Sequence, residues 1–251
     1  MKYLKTYESK KFESIIDKIK DLPIIEDLRK CKKLYTKWVY NEDFDDMDEV
    51  EGRMLMFHTM DENNDKGSRE FKEYKHKKRK KSTDTPMVLH KYVGELLQKN
   101  IGWNPREDAL FVHNDQLQSG EDEYVYTNVG VKYIVLPIGE YKLVYSDIVN
   151  DLWTILYENF SIFNLSDYLE FWDDFPRLID GEVEEQKNGV NDDWRDKQIL
   201  EIYDFLDQYA TSMKSNLCEW LGSDSEAMIK ANSYYLIHPH YEQELIKYIW
   251  G

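Results

Sequence analysis

The sequence predicts an α+β protein: a helical N-terminal arm, then a mixed, mainly antiparallel central sheet flanked by helices. Three observations predict it. Apolar residues recur at three- and four-residue steps over residues 1–40, and again after Met87, Trp194 and Glu242. Between Ala109 and Ser146 the pattern changes to short β-branched and aromatic runs punctuated by Gly120, Gly130 and Gly139. Nineteen Tyr, ten Phe and seven Trp among 251 residues supply enough apolar surface for a core.

Residues 1–20 place Leu4, Tyr7, Phe12, Ile15, Ile16 and Ile19 on a helical period, which Pro23 interrupts. Residues 24–40 resume it with Ile25, Leu28, Leu34 and Trp38. The stretch 41–86 is the least apolar, with a short candidate strand at Met54–Phe57 and turn residues at 63–67. Thr85 and Pro86 have the chemistry of a helix start, and the helix that follows is bounded by Asn100 and Gly102. Strands are expected at Ala109–Val112, Tyr124–Thr127, Val131–Leu136 and Tyr141–Tyr145. A long amphipathic helix follows over Trp194–Leu221, then β-like runs at Glu226–Lys230 and Ser233–Ile237, then a closing helix over Glu242–Trp250. The two late strands are expected to return to the Ala109–Tyr145 sheet, because an isolated two-stranded element is marginal in water. The division this suggests is a helical arm over 1–40, a charged, partly irregular insertion over 41–85 and an α+β core domain over 86–251. As the arm is set off by Pro23, its removal is expected to cost little stability.

Charge narrows the function classes. With 33 Lys and Arg against 49 Asp and Glu, the net charge is −16, which opposes coating of nucleic acid by the whole surface. A local contact through Lys75–Lys81, within the basic stretch 72–81, is the exception. That stretch reads first as a solvated loop or helix face, and the acidic stretch 42–51 is an alternative partner for it. The longest apolar runs are far short of a membrane span, and the first residues lack the apolar region of a secretory signal. Cys31 and Cys218 lie in unrelated contexts, so neither a disulfide framework nor a thiolate zinc site is expected, and a reducing compartment fits.

Chemical motifs are sparse. His238 and His240 alternate, and His113 lies in another turn, but no further ligand pattern accompanies them, so no metal site is expected. Nucleophile elbows and glycine-rich phosphate loops are missing from the sequence. Two segments remain. Arg106 stands at the threshold of one expected strand, and Ser225 and Glu226 stand at the threshold of a late one. A guanidinium fork suits a pyrophosphate, and a carboxylate can stabilise a developing oxocarbenium ion. The alternative is a salt bridge or solvation of strand ends.

The segments Trp103–Val112, Tyr133–Ser146, Ser225–Lys230 and Ser233–Ile237 resemble uncharacterised proteins of large tailed bacteriophages. Within them, an Arg before an early strand and a Ser-Glu before a late one resemble the ends of an ADP-ribosyltransferase core. That resemblance implies NAD as cofactor, Glu226 as the catalytic residue, and Arg106 and Ser225 at the cofactor. Tyr124 or Tyr126 would stack on the nicotinamide. The family's middle Ser-Thr-Ser element has no counterpart near Phe111–Asp115. The first twelve residues resemble leaders that direct internal proteins into phage heads, and Ile24, Ile25 and Glu26 resemble a head-protease cleavage pattern. The implied settings are the host cytoplasm or the virion, with a host or virion protein as partner and no membrane. A non-enzymatic interaction protein built on the same core is the alternative, and an acidic mimic of DNA a third reading.

Overall fold

The computed structural model describes residues 2–39, 55–60, 70–78, 87–114, 131–152, 154–156, 193–223 and 225–251. The chain divides into two compact units that interleave along the sequence. The first takes 1–77, 109–145 and 215–251, and the second takes 78–108 and 146–214. This division runs differently from the arm, insertion and core suggested by composition. The α+β class and the helical N-terminal arm are both present.

In the first unit, α1 (Lys2–Ile19) and α2 (Pro23–Val39) come first. Ile24, Ile25, Leu28 and Cys31 of α2 are buried at the spacing of one helical face. Ile15 and Ile19 of α1 join them in the main core, with Phe12 and Ile16 packed against it. The N-terminal helices are therefore structural members of the first unit, which corrects the expectation that they are peripheral.

The strands form antiparallel sheets. One has the order β1 (Phe57–Met60), β4 (Val131–Ile138), β8 (Ser233–Ile237), β2 (Phe71–Tyr74). In the other, β7 (Ala227–Lys230) lies between β3 (Leu110–Val112) and β5 (Lys142–Ser146). The late strands return to the earlier ones as expected: Ile229 pairs with Leu110 and Leu143, and Leu236 with Val135. Rather than forming a single sheet, they go to two. Tyr234 ties them together, because its hydroxyl donates to the Ile229 carbonyl at 2.8 Å and accepts from the Ala231 N–H at 2.8 Å. Phe57 and His113 exchange a pair of backbone hydrogen bonds, which joins β1 to the end of β3. Among the described residues, Pro137 of β4 pairs only with β8, beyond the four residues of β4 that pair with β1.

The strand β2 falls in the stretch read as a solvated basic face. Lys72 pairs with Leu236 and rests its ammonium 4.3 Å from the centre of the Tyr133 ring. A lysine stem can cover apolar surface while its head stays wet, which lets a basic stretch supply an edge strand. The helix α7 (Glu242–Trp250) closes the unit, burying Leu245, Ile246, Ile249 and Trp250. The Trp250 indole donates to the Leu28 carbonyl of α2 at 2.9 Å.

In the second unit, α3 (Met87–Ile101) buries Leu89, Val93 and Leu97, and α5 (Asp193–Thr211) buries Ile202, Leu206 and Tyr209. Tyr92 and Tyr203 meet with ring centres 5.6 Å apart. Gly102, at φ +79°, ends α3 in a conformation that favours glycine, and the single turn α4 (Pro105–Asp108) follows. Lys78 is 3.1 Å from Asp108; this part of the basic stretch pairs with a carboxylate that the sequence reading did not assign to it.

The long helix expected over 194–221 is broken. Thr211 Oγ1 donates to the Asp207 and Gln208 carbonyls, and Ser212 Oγ to the Tyr209 carbonyl. Such back-bonding competes with helix continuation. A two-residue strand, β6 (Met213–Lys214), follows, and α6 (Leu217–Leu221) starts afresh in the first unit.

Candidate functional site

The residues singled out for NAD chemistry belong to two different units. Arg106 lies in α4 of the second unit and is buried. Ser225 and Glu226 belong to the first unit, just before β7. Ser225 is buried, its carbonyl accepts the Trp220 indole N–H at 2.7 Å, and its own N–H donates to Ser223 Oγ at 3.3 Å. Glu226 is half-buried. The antiparallel register sets Ala227 against Val112, so Glu226 lies at the C-terminal end of β3, whereas the chain enters β3 from Arg106 at the Leu110 end. Tyr124 and Tyr126 lie outside the described residues.

A different group of side chains converges in the first unit. On α2, Lys30 and Cys31 lie three and four residues after Asp27, so each neighbours it on the helix surface. Tyr141, just before β5, donates its hydroxyl to Asp27 Oδ2 at 2.8 Å. The other carboxylate oxygen, Oδ1, lies 2.9 Å from Lys30 Nζ, and Glu26 is 3.4 Å from the same ammonium. Burial, and then the bond to Asp27, push the Tyr141 phenol well above its ordinary range. The hydrogen bond from Lys30 to Asp27 raises the lysine. Tyr141 is therefore a neutral donor and Lys30 a cation at neutral pH.

The opposite wall is the start of α6. Asn216 is its N-cap, with Oδ1 accepting the Cys218 and Glu219 N–H groups at 3.1 and 3.3 Å. Its Nδ2 donates to Glu219 Oε1 at 2.8 Å, a reciprocal arrangement related to the capping box. This cap fixes the position of Cys218, and Cys218 is bonded to Cys31 in a disulfide with the Cα atoms 5.0 Å apart. This bridge corrects the expectation that the cysteines form no disulfide framework. The two cysteines are 187 positions apart, and the pairing of α2 with α6 that brings them together is a tertiary event that no local pattern signals.

Asp27, Lys30, Tyr141, Asn216 and Cys218 line an open depression of about 450 Å³, within the range that holds small ligands. Cys31 is 1% exposed and sits in the core behind it, while Cys218 is partly exposed to it. The sequence reading missed this site. Its available signals were Asn216 followed three residues later by Glu219, and the Asp27, Lys30, Cys31 spacing.

Among the described residues, no group of three or more His, Cys, Asp and Glu side chains is arranged to hold a metal ion. His238 and His240 instead face one another, with their Nδ1 atoms 2.6 Å apart. Also among the described residues, no helix is long and apolar enough to cross a membrane. Compared with protein-family models, curated protein sequences and solved structures, the chain matches none.

Proposed function

We propose that the chain is a non-enzymatic interaction protein of a tailed bacteriophage that binds a host or virion protein through its first unit. The observation that carries this reading is the β3–β7 register: Glu226 stands at the end of β3 opposite to the one that Arg106 leads into. The tie of Ser225 to Trp220 and Ser223 supports it, since those bonds hold the strand entrance itself. The net charge of −16 favours a partner with a basic surface and an association that weakens with salt.

An ADP-ribosyltransferase-like activity is the second reading. It is favoured by one fact: Arg106, in the turn that leads into β3, and Glu226, directly before β7, precede two strands that are hydrogen-bonded neighbours. Calorimetry and thermal unfolding in millimolar NAD separate the two. The interaction reading expects no NAD binding, together with a salt-sensitive complex with a purified host or virion protein. A saturable rise in melting temperature with NAD, lost in Arg106→Ala, would instead establish the transferase reading. Loss of transfer in Glu226→Gln with binding retained would then identify the catalytic carboxylate.

A further inference from the structure

We propose that the depression beside the disulfide is a thiol-exchange site, at which a small-molecule thiol of the glutathione class forms a mixed disulfide with Cys218 and never with Cys31. The two sulfurs of the bond are unequal. Cys31 is 1% exposed, on the face of α2 that also buries Ile24 and Leu28. Cys218 is partly exposed and lines the depression. A nucleophile arriving from solvent meets Cys218 Sγ, and exchange depends on which sulfur is accessible.

The surroundings suit a small-molecule thiol. The depression holds about 450 Å³, room for a tripeptide-sized molecule. Lys30 places an ammonium on its wall, held by Asp27 at 2.9 Å, and Tyr141 fixes that carboxylate from the other side. Asp27 and Glu26 both pair with that ammonium, so the wall offers polar groups rather than a net positive charge.

The step balances without any further oxidant. The incoming thiolate attacks Cys218 Sγ, a new S–S bond forms, and the Cys31–Cys218 bond breaks. Cys31 leaves as a thiolate and takes a proton from water. A second thiolate attacks the sulfur of the bound thiol, releasing its oxidised dimer and Cys218 as a thiolate. The net change is reduction of one protein disulfide and oxidation of two small thiols. This inference does not depend on the proposed function.

The test uses the full chain in its disulfide form. The protein is incubated with glutathione, quenched with acid, and mapped by peptide mass spectrometry. The expected result is a glutathione adduct on Cys218 and none on Cys31. In Cys31→Ser, glutathione disulfide should load one glutathione per chain, on Cys218. An adduct on Cys31 of the folded wild-type chain would overturn the proposal. So would no adduct on the folded chain under conditions where the urea-unfolded chain reacts. The wild-type measurement stands alone if Cys31→Ser does not fold.

Discussion

Cys31 of α2 and Cys218 of α6 are joined by a disulfide, so the second helix of the chain and a helix near its end are covalently one body. Around that bond, Tyr141 holds Asp27, Asp27 holds Lys30, and Asn216 caps the helix that carries Cys218. The bond and its polar surroundings tie α2 to α6 within the first unit.

The disulfide closes a long loop, and its loss should be felt globally. The chain-entropy relation gives about 5 kcal/mol for a loop of this length, against the roughly 2–4 kcal/mol typical of measured bridges. The double variant Cys31→Ser, Cys218→Ser should therefore lose about 2–4 kcal/mol in urea unfolding. Wild type in excess dithiothreitol should fall to the same midpoint. Equal midpoints with and without reductant would mean that the bridge adds nothing to stability.

The N-terminal helices should prove integral to the fold. Ile19 is fully buried among residues of the main core, and truncating such a side chain leaves a cavity. Ile19→Ala should cost about 2–5 kcal/mol, and deletion of residues 1–20 should cost more, because Ile15 leaves as well. Thermal unfolding of the two variants checks this. A deletion that melts like wild type would return the arm to a peripheral role.

Alkali should destabilise the first unit through its buried phenols. Burial pushes Tyr234 up to about 12 and, with Glu70 beside it, Tyr241 up to about 12, against about 10 in an unfolded chain. A raised folded-state pKa means that the unfolded chain releases its protons first. The contribution is whole below about pH 10 and is lost as pH rises towards 12. Melting temperature followed through this window should fall together with the onset of phenolate absorbance. Tyr234→Phe should be less stable at neutral pH by about 1–3 kcal/mol, since the Ile229 carbonyl and Ala231 N–H lose their partner. Its alkaline decline should be shallower.

Most of the fold was legible because periodicity reports burial directly. The spacing of Ile24, Ile25 and Leu28 marks α2, and the runs at Val131–Leu136 and Ser233–Ile237 mark paired strands. Legibility failed where a side chain does something other than its usual task. Lys72 serves a strand by lying over the Tyr133 ring, so β2 is hidden in a lysine-rich stretch. Thr211 and Ser212 end a helix through hydroxyl bonds to preceding carbonyls, which apolar periodicity does not register. The candidate site was illegible for a related reason. Asp27, Tyr141 and Cys218 come from distant segments, and only the packing of α2 against α6 brings them together. Arg106 and Glu226 were conspicuous because they stand next to strands, a position that reveals nothing of strand direction; the antiparallel register decides which end each one occupies.

The pairing of Cys31 with Cys218 is best tested by counting free thiols. The purified chain, equilibrated with glutathione disulfide and repurified, is unfolded in urea with an alkylating reagent, and its intact mass is measured. The structure predicts no alkylation without prior reduction and two alkyl groups after it, with a non-reduced digest yielding one peptide pair that joins Cys31 to Cys218. Two alkyl groups, or two separate glutathione adducts, before any reduction would contradict the account of the first unit as a disulfide-stapled body.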